Sequence, residues 1–386
     1  MLKKTILIPL LLSLLLYANA QEFSSLNVNN GLSNNQVNCI FKDSRGFMWF
    51  GTMSGLNRYD GFTCRIFRHN AADPNSISDD YVSAITAAPG NRLYVRTRNG
   101  DVLYDPVKEQ FSDAATWLKS KGLPLTGITA TQQADRSFWV GYEDGNIYCI
   151  NEKKNGAVTR ILHHAGVPVA DITKTAANRL GILYLNGELD VLDIHTGHLI
   201  SHSNTITRFI DNKPIALRLF IDAQQDTWVY MPGSDFGVIY MNSKNGTMRR
   251  LSSKNSSLNN DIVNSIVQDE KGQIWIGTDH GGINVLNKET FTCYYLQKRE
   301  EDAKSVAENA IYALYKDDLG IIWCGTYKRG VSYYAENMMK FDLYAHKYAD
   351  ANSLSYNDVN CFAEDKKGNV WIGTNGGGLI YFDRQA

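Results

Sequence analysis

Residues 269–284 read DEKGQIWIGTDHGGIN, and close copies of this phrase recur along the 386-residue chain. The clearest are Asp43–Asn57 (DSRGFMWFGTMSGLN), Asp317–Ser332 (DDLGIIWCGTYKRGVS) and Asp365–Ile380 (DKKGNVWIGTNGGGLI), which define the pattern D-x-x-G-x-x-W-x-G-T followed by glycine. Weaker copies are Arg136–Ile147, Asp226–Ile239 with Trp228, and Asn91–Val102, where Tyr94 takes the tryptophan place; in an eighth, Asn178–Leu189, Leu183 falls near it. The anchors at 49, 94, 139, 183, 228, 275, 323 and 371 are spaced by 44 to 48 residues. That period is the length of one four-stranded propeller blade.

Each segment of a unit has a physical reason. An alternating run such as Ile262–Val267 reads as a half-buried strand. The D-x-x-G segment makes a tight turn, its Asp accepting backbone N–H groups and its Gly free to take positive φ. The I-W-I-G-T strand follows, and its indole is expected to pack between neighbouring sheets, because one unit alone cannot bury it. A hairpin after the Thr leads to a third strand (Leu56–Asp60) and an outer fourth (Phe62–His69). The expected fold is all-β: four-stranded antiparallel blades, eight repeats in all.

Phe23–Val28 resembles the outer strands Phe62–Phe67, Phe291–Leu296 and Lys340–Tyr344, so the chain starts on an outer strand. Such a strand can complete the last blade of a ring and remove two exposed sheet edges. Two closures follow. Seven repeats close near Tyr334, leaving 337–386 as an extra eighth repeat, or all eight form one ring with Phe23–Val28 beside Leu379–Asp383. The first is favoured, giving a signal peptide at 1–20, a propeller at 21–336 and the extra repeat at 337–386.

Residues 1–20 carry Lys3 and Lys4, an apolar stretch from Ile6 to Leu16, and Ala18-Asn19-Ala20, a secretory signal expected to be cleaved after Ala20. No later apolar run approaches the roughly 20 residues of a membrane helix, so no membrane span is expected beyond it. A net charge of −1 with no long basic run gives no electrostatic case for nucleic acid. Cys39 and Cys361 occupy one place in the repeat and Cys64 and Cys293 another, which reads as interchangeable small core residues rather than disulfides. Ala114–Lys121 reads as a short helix.

The phrases Gly31–Gly61 and Ser257–Asn287 resemble the two-component-regulator propeller repeat. In that family two seven-bladed propellers and a small β-sandwich form the periplasmic sensor of Bacteroides-type hybrid histidine kinases. The resemblance implies a periplasmic module that senses oligosaccharides and regulates polysaccharide utilisation. The sequence has no kinase, receiver or DNA-binding segment, so the chain is not expected to be an enzyme by itself; an exported lyase or glycosidase and a protein-binding scaffold are the alternatives. An oligosaccharide is the expected ligand, no cofactor is expected, and self-association into a homodimer stays open.

Strand order puts the blade-to-blade connections and the loops after each G-T on one face. Candidate ligand contacts there are Arg96, Arg98, Tyr142, Glu143, Asp279, His280, Tyr327, Lys328 and Arg329, with Asn35, Asp80, Asn260, Asn309 and Asn357 from the connections. Asn260, Asn309 and Asn357 recur at what look like equivalent points, which favours a structural role. Catalytic residues are not expected, since Asp43, Asp269, Asp317 and Asp365 repeat in every good unit and a catalytic pair would break that symmetry. His195, His198 and His202 fall on a hairpin and a strand, not on one helix face, so no metal site is expected there or at His163-His164.

Overall fold

The computed structural model describes residues 22–154, 156–175, 178–210, 216–336, 344–346 and 352–384. The signal segment, its cleavage site and most of the Lys340–Tyr344 stretch lie outside the described residues. No helix among the described residues is long and apolar enough to cross a membrane. All six cysteines are free.

Residues up to Glu336 form one unit and those from Asn337 a second. The first holds seven four-stranded antiparallel sheets, here blades 1 to 7, each running from an innermost to an outermost strand. Blade 1 comprises Val37–Lys42, Met48–Thr52, Gly55–Tyr59 and Cys64–Phe67. Blade 7 takes three strands from Ile311–Lys316, Ile322–Thr326 and Val331–Tyr334, and its fourth from Phe23–Leu26, with Phe23 opposite Tyr334 and Leu26 opposite Val331. The N-terminal strand therefore pairs at the seventh repeat. Gly330 N–H also donates to Asn35 O at 2.8 Å, and Trp323 lies 5.9 Å from Phe50 of blade 1 in a shared core. Backbone and side chains close the ring at the same seam.

The D-x-x-G turn is a side-chain cap shared with the indole. Asp269 Oδ1 accepts the N–H groups of Lys271 (2.9 Å) and Gln273 (2.8 Å), while its Oδ2 accepts the Trp275 Nε1 proton at 2.9 Å. Asp43 with Trp49, Asp222 with Trp228 and Asp317 with Trp323 repeat the arrangement at 2.9, 3.0 and 3.2 Å. Each tryptophan then covers the next blade: Trp49 meets Tyr104 of blade 2 edge-on at 4.9 Å, and Trp275 stacks on Tyr334 of blade 7 at 5.6 Å. These contacts make one cap and one inter-sheet anchor from a single Asp–Trp pair.

Two repeats are aligned differently from the sequence reading. In blade 5 the turn Asp is Asp222, not Asp226, and Gln225 takes the glycine place at φ +69°. Asp226 instead joins Asp222 in binding the Lys288 ammonium, 2.8 Å from its Oδ2. In blade 4 the strand Arg179–Tyr184 pairs with Leu183 opposite Asp171 and Gly181 opposite Thr173. This register puts Gly181, not Leu183, in the anchor place. Thr175 stands where the Asp should be, and Ile221 and Leu219 of blade 5 reach across to fill the space an indole would take. Blade 4 thus has neither the Asp nor the Trp, whereas blade 3 keeps Trp139 without an Asp partner.

The second unit is a three-stranded sheet of Val359–Glu364, Val370–Thr374 and Leu379–Phe382. Asp365 caps its turn as in the ring, accepting from Lys367 and Asn369. Ala114–Ser120 forms the expected helix between blades 2 and 3, with Asp113 accepting the Ala115 and Thr116 N–H groups at its start.

Candidate functional site

At the other end of the sheets, the Thr of each G-T strand fixes the next hairpin. Thr52, Thr278 and Thr326 donate to the carbonyls of Gly55, Gly282 and Gly330 at 2.8 to 2.9 Å. In six blades the residue after this position, which is Tyr142 in blade 3 and Tyr184 in blade 4, is held by its N–H on the connection that enters its own blade: Met53 on Gln36 O, Arg98 on Tyr81 O, Glu143 on Gly127 O, Leu185 on Pro168 O, Asp279 on Ile262 O and Tyr327 on Ala310 O, at 2.8 to 3.3 Å. Backbone bonding at this place is thus the same in six blades, blade 5 having Pro232 with no N–H there, while the side chains presented are all different.

The connections contribute less than the sequence suggests, because their polar groups are committed. Asn35, Asp80 and Asn309 each accept an N–H from the segment just past an outer strand, those of Val28, His69 and Lys298, and Asn357 accepts that of His346 in the second unit, at 2.6 to 3.0 Å. Asp80 and Asn309 also accept, through their carbonyls, Gly55 and Gly282 of the preceding blade. Asn260 is one residue out of this alignment; Asp261 holds the equivalent place, bonding Ser253, and Asn260 caps its own turn through Ile262 N–H. These residues stitch blade to blade.

The other candidates divide. Tyr142 is 2% exposed, packs edge-on to Tyr148 and gives its hydroxyl proton to Pro124 O. Arg96 gives its guanidinium to the Thr129 and Ile128 carbonyls of blade 3 at 2.9 and 3.1 Å. Both are framework. Glu143, His280, Lys328 and Arg329 are exposed, with His280 Nδ1 3.0 Å from its neighbour Asp279.

Blades 7, 6 and 2 bring the remaining candidates together. Tyr327 stacks on Tyr312 at 5.1 Å with 29° between rings, and the Lys328 ammonium sits 4.9 Å over Tyr327. Burial raises the Tyr312 phenol, and Asp279, Tyr327, Glu308 and Tyr81 push it further the same way. Arg98 stacks over Tyr81 at 4.7 Å, and Glu308 accepts the Lys328 N–H at 2.6 Å. Two stacked phenol faces, two carboxylates and two cations form a surface suited to a polyhydroxylated ring.

Sequence reading found Tyr327, Lys328, Arg98 and Asp279 but missed Tyr312, Tyr81 and Glu308. A signal existed in the repeat. Position 312 matches Asn38 and Asn264, whose side-chain amides donate to Val82 O and Ile311 O of the next blade, and a comparison unit by unit shows Ser83, Thr129 and Ala170 in blades 2 to 4 and the aromatic Tyr312 in blade 7.

The model of the two-component regulator propeller matches residues 31–54, 257–280, 305–328 and 353–376, which are the connection, first strand and G-T strand of blades 1, 6 and 7 and of the second unit. These four segments are similar to the two-component-regulator propeller repeat. Over 56 residues the chain is 45% identical to Histidine kinase P4 of Formosa agariphila, a match spanning 14% of this chain and 4% of that protein. Two extracellular domains assigned to hybrid two-component systems of B. thetaiotaomicron share the fold at a TM-score of 0.61, with 20% and 19% identity over 95% of this chain. The chain spans 54% and 53% of those two domains, about half their length. The WD40 propeller domain of Doa1 is also similar, at TM-score 0.54 and 11% identity, over 82% of this chain and 97% of that one. All four matched segments keep the Asp-capped turn, and blades 2 to 5 fall outside the matched residues although blade 5 also keeps its Asp222–Trp228 cap.

Proposed function

We propose that this chain is the ligand-recognising part of a two-component sensor, exported behind a signal peptide cleaved after Ala20 and working in the periplasm. An oligosaccharide binds at the end of the ring where Tyr312, Tyr327 and Tyr81 meet Asp279, Glu308, Lys328 and Arg98. The observation that carries this reading is the Tyr312–Tyr327 stack, an aromatic pair at a place where blades 1 and 6 have an asparagine. Sugars offer apolar C–H faces to aromatic rings and hydroxyls to carboxylates and ammonium groups, and all three kinds of group are within this cluster. Binding without turnover is expected, with the regulation of polysaccharide utilisation carried by kinase and output functions outside the propeller.

Calorimetric titration of the secreted chain with a panel of plant and host oligosaccharides tests the reading. Saturable heat with one member and no sustained heat supports it. Sustained heat flow means turnover and favours an exported lyase or glycosidase, whereas silence across the panel favours a protein-binding scaffold.

A further inference from the structure

Outside this cluster, blade 4 holds a second break in the repeat. In blades 1, 6 and 7 the second or third residue of the third strand is a neutral polar group that ties down the incoming connection: Asn57 accepts the Ser33 N–H at 2.8 Å, Asn284 that of Asn259 at 3.0 Å, and Ser332 that of Ala307 at 3.0 Å. The pairing register puts Asp190 in that place in blade 4, with its side chain 0% exposed. Three imidazoles converge on it. His163 Nδ1 lies 2.8 Å from Oδ2, His202 Nδ1 2.8 Å from Oδ1, and His164 Nε2 3.2 to 3.3 Å from both oxygens, while Tyr184 donates to Oδ2 at 3.4 Å. Neutral Asn or Ser makes the tie in blades 1, 6 and 7, and blades 2, 3 and 5 have Val102, Tyr148 and Ile239 at this place. A buried carboxylate ringed by imidazoles requires another explanation.

We propose that His164, His202 and Asp190 form a site for a divalent transition metal of the zinc class. One ligand atom from each lies within 4.8 Å of the other two. The hydrogen-bond inventory of His164 supports it. Its Nδ1 lies 2.8 Å from Glu188 Oε2, so both ring nitrogens face carboxylates. A neutral imidazole has one N–H, so with that proton on Glu188 the Nε2 lone pair points at the Asp190 oxygens, a contact that a cation between them resolves. The observed 3.2 to 3.3 Å separation matches the edge of a tetrahedron whose metal–ligand bonds are about 2.0 Å, roughly 3.3 Å. The His164 and His202 rings stack at 5.1 Å and 28°.

The supporting groups are those that metal-bound histidines and carboxylates usually have. Glu188 fixes the tautomer of His164, and His163 and Tyr184 orient Asp190. Imidazole with carboxylate suits zinc rather than magnesium or calcium. Three protein donors leave a fourth position, and His202, with 37% of its side chain exposed, lies at the solvent edge of the cluster. The histidine spacing that the sequence offered, 195, 198 and 202, selects the wrong trio: His195 faces Asp135 at 3.0 Å, and His202 joins His163 and His164 from the preceding connection.

The test is titration of the untagged, chelator-treated full chain with zinc chloride alone, followed by cobalt(II) with visible absorption. One saturable zinc per chain and cobalt bands of a tetrahedral site are expected. Asp190→Asn restores the residue that blades 1 and 6 use and should keep the fold, as judged by an unchanged circular dichroism spectrum and melting point, while weakening zinc at least tenfold. Glu188→Gln should weaken it about 10- to 100-fold, and His195→Ala should leave it unchanged. Absence of saturable zinc, or undiminished binding in Asp190→Asn, would overturn the proposal and leave the cluster as a hydrogen-bonded tie between blades 3 and 4.

Discussion

The two ends of the ring differ in what they repeat. At the turn end, blades 1, 5, 6 and 7 place the same Asp on the same two backbone N–H groups and the same indole, with distances that vary by only a few tenths of an ångström. At the other end six blades share one backbone bond, yet the residue just past the second strand that makes it is Met53, Arg98, Glu143, Leu185, Asp279 or Tyr327 in turn. Groups that hold the fold recur because every blade has the same interface to close. Groups that meet a ligand need not recur, since the ligand lacks the ring's symmetry. Where the repeat is kept it carries the fold, and where it is broken against a uniform backbone it marks a site.

The largest effects should come from the turn end. Trp275→Ala removes a fully buried anchor and is expected to cost about 3 to 5 kcal/mol, read from urea unfolding. Trp371, at the same place in the second unit, is 39% exposed, and its replacement by Ala should cost less than half as much. Equal losses would mean that the motif stabilises its own hairpin rather than the contact between sheets.

Lys288 offers a comparable test through charge. Lys288→Met leaves the buried Asp222 and Asp226 without their cation and should cost about 3 to 5 kcal/mol. Burial alone would raise the Asp226 carboxyl, but Lys288, Ser243 and Tyr240 hold it below the usual range. A depressed folded value means that its contribution is fully present above the unfolded value of about 3.9 and is lost as pH falls through the folded one. Stability of the parent chain should therefore drop below about pH 4, and Lys288→Met should flatten that part of the curve.

A finer comparison uses the indole bond itself. Trp139 Nε1 is buried without a partner, because blade 3 replaces the Asp turn with a two-residue hairpin, Asp135-Arg136, at φ +43° and +58°. Trp275→Phe breaks the bond to Asp269 and Trp139→Phe breaks none, so the first should be the more costly by about 1 to 3 kcal/mol. At the ligand end, Tyr312→Ala and Tyr327→Ala should each weaken sugar binding at least tenfold, about 1.4 kcal/mol, whereas Arg96→Ala should lower the unfolding midpoint through its lost carbonyl bonds. The smallest expected change is a gain: Gln225→Gly returns the positive-φ position of blade 5 to the residue the repeat prefers, worth up to about 1 kcal/mol.

Much of the fold was legible because its determinants are local and repeated. The D-x-x-G-x-x-W-x-G-T phrase contains the cap, the turn, the anchor and the hairpin lock in ten consecutive residues. Blade 4 was misaligned for the same reason, since with Asp and Trp both gone only strand pairing reveals Gly181 as the anchor position. The ligand-end cluster was half legible: Tyr327 and Asp279 directly follow a recognisable G-T, but Tyr81 and Glu308 lie on connections and Tyr312 inside a first strand. The histidine cluster joins a connection at 163 and 164 to strands at 190 and 202, and no linear spacing encodes that contact.

Hydrogen–deuterium exchange of the chain with and without its titrating oligosaccharide tests most directly whether the broken positions carry the ligand. Protection is predicted in peptides covering 79–83, 278–281, 307–312 and 326–331, with the turn-end peptides 43–48, 269–274 and 317–322 unchanged. Protection centred on those turn-end peptides, with the Tyr312 and Tyr327 segments unaffected, would contradict the account.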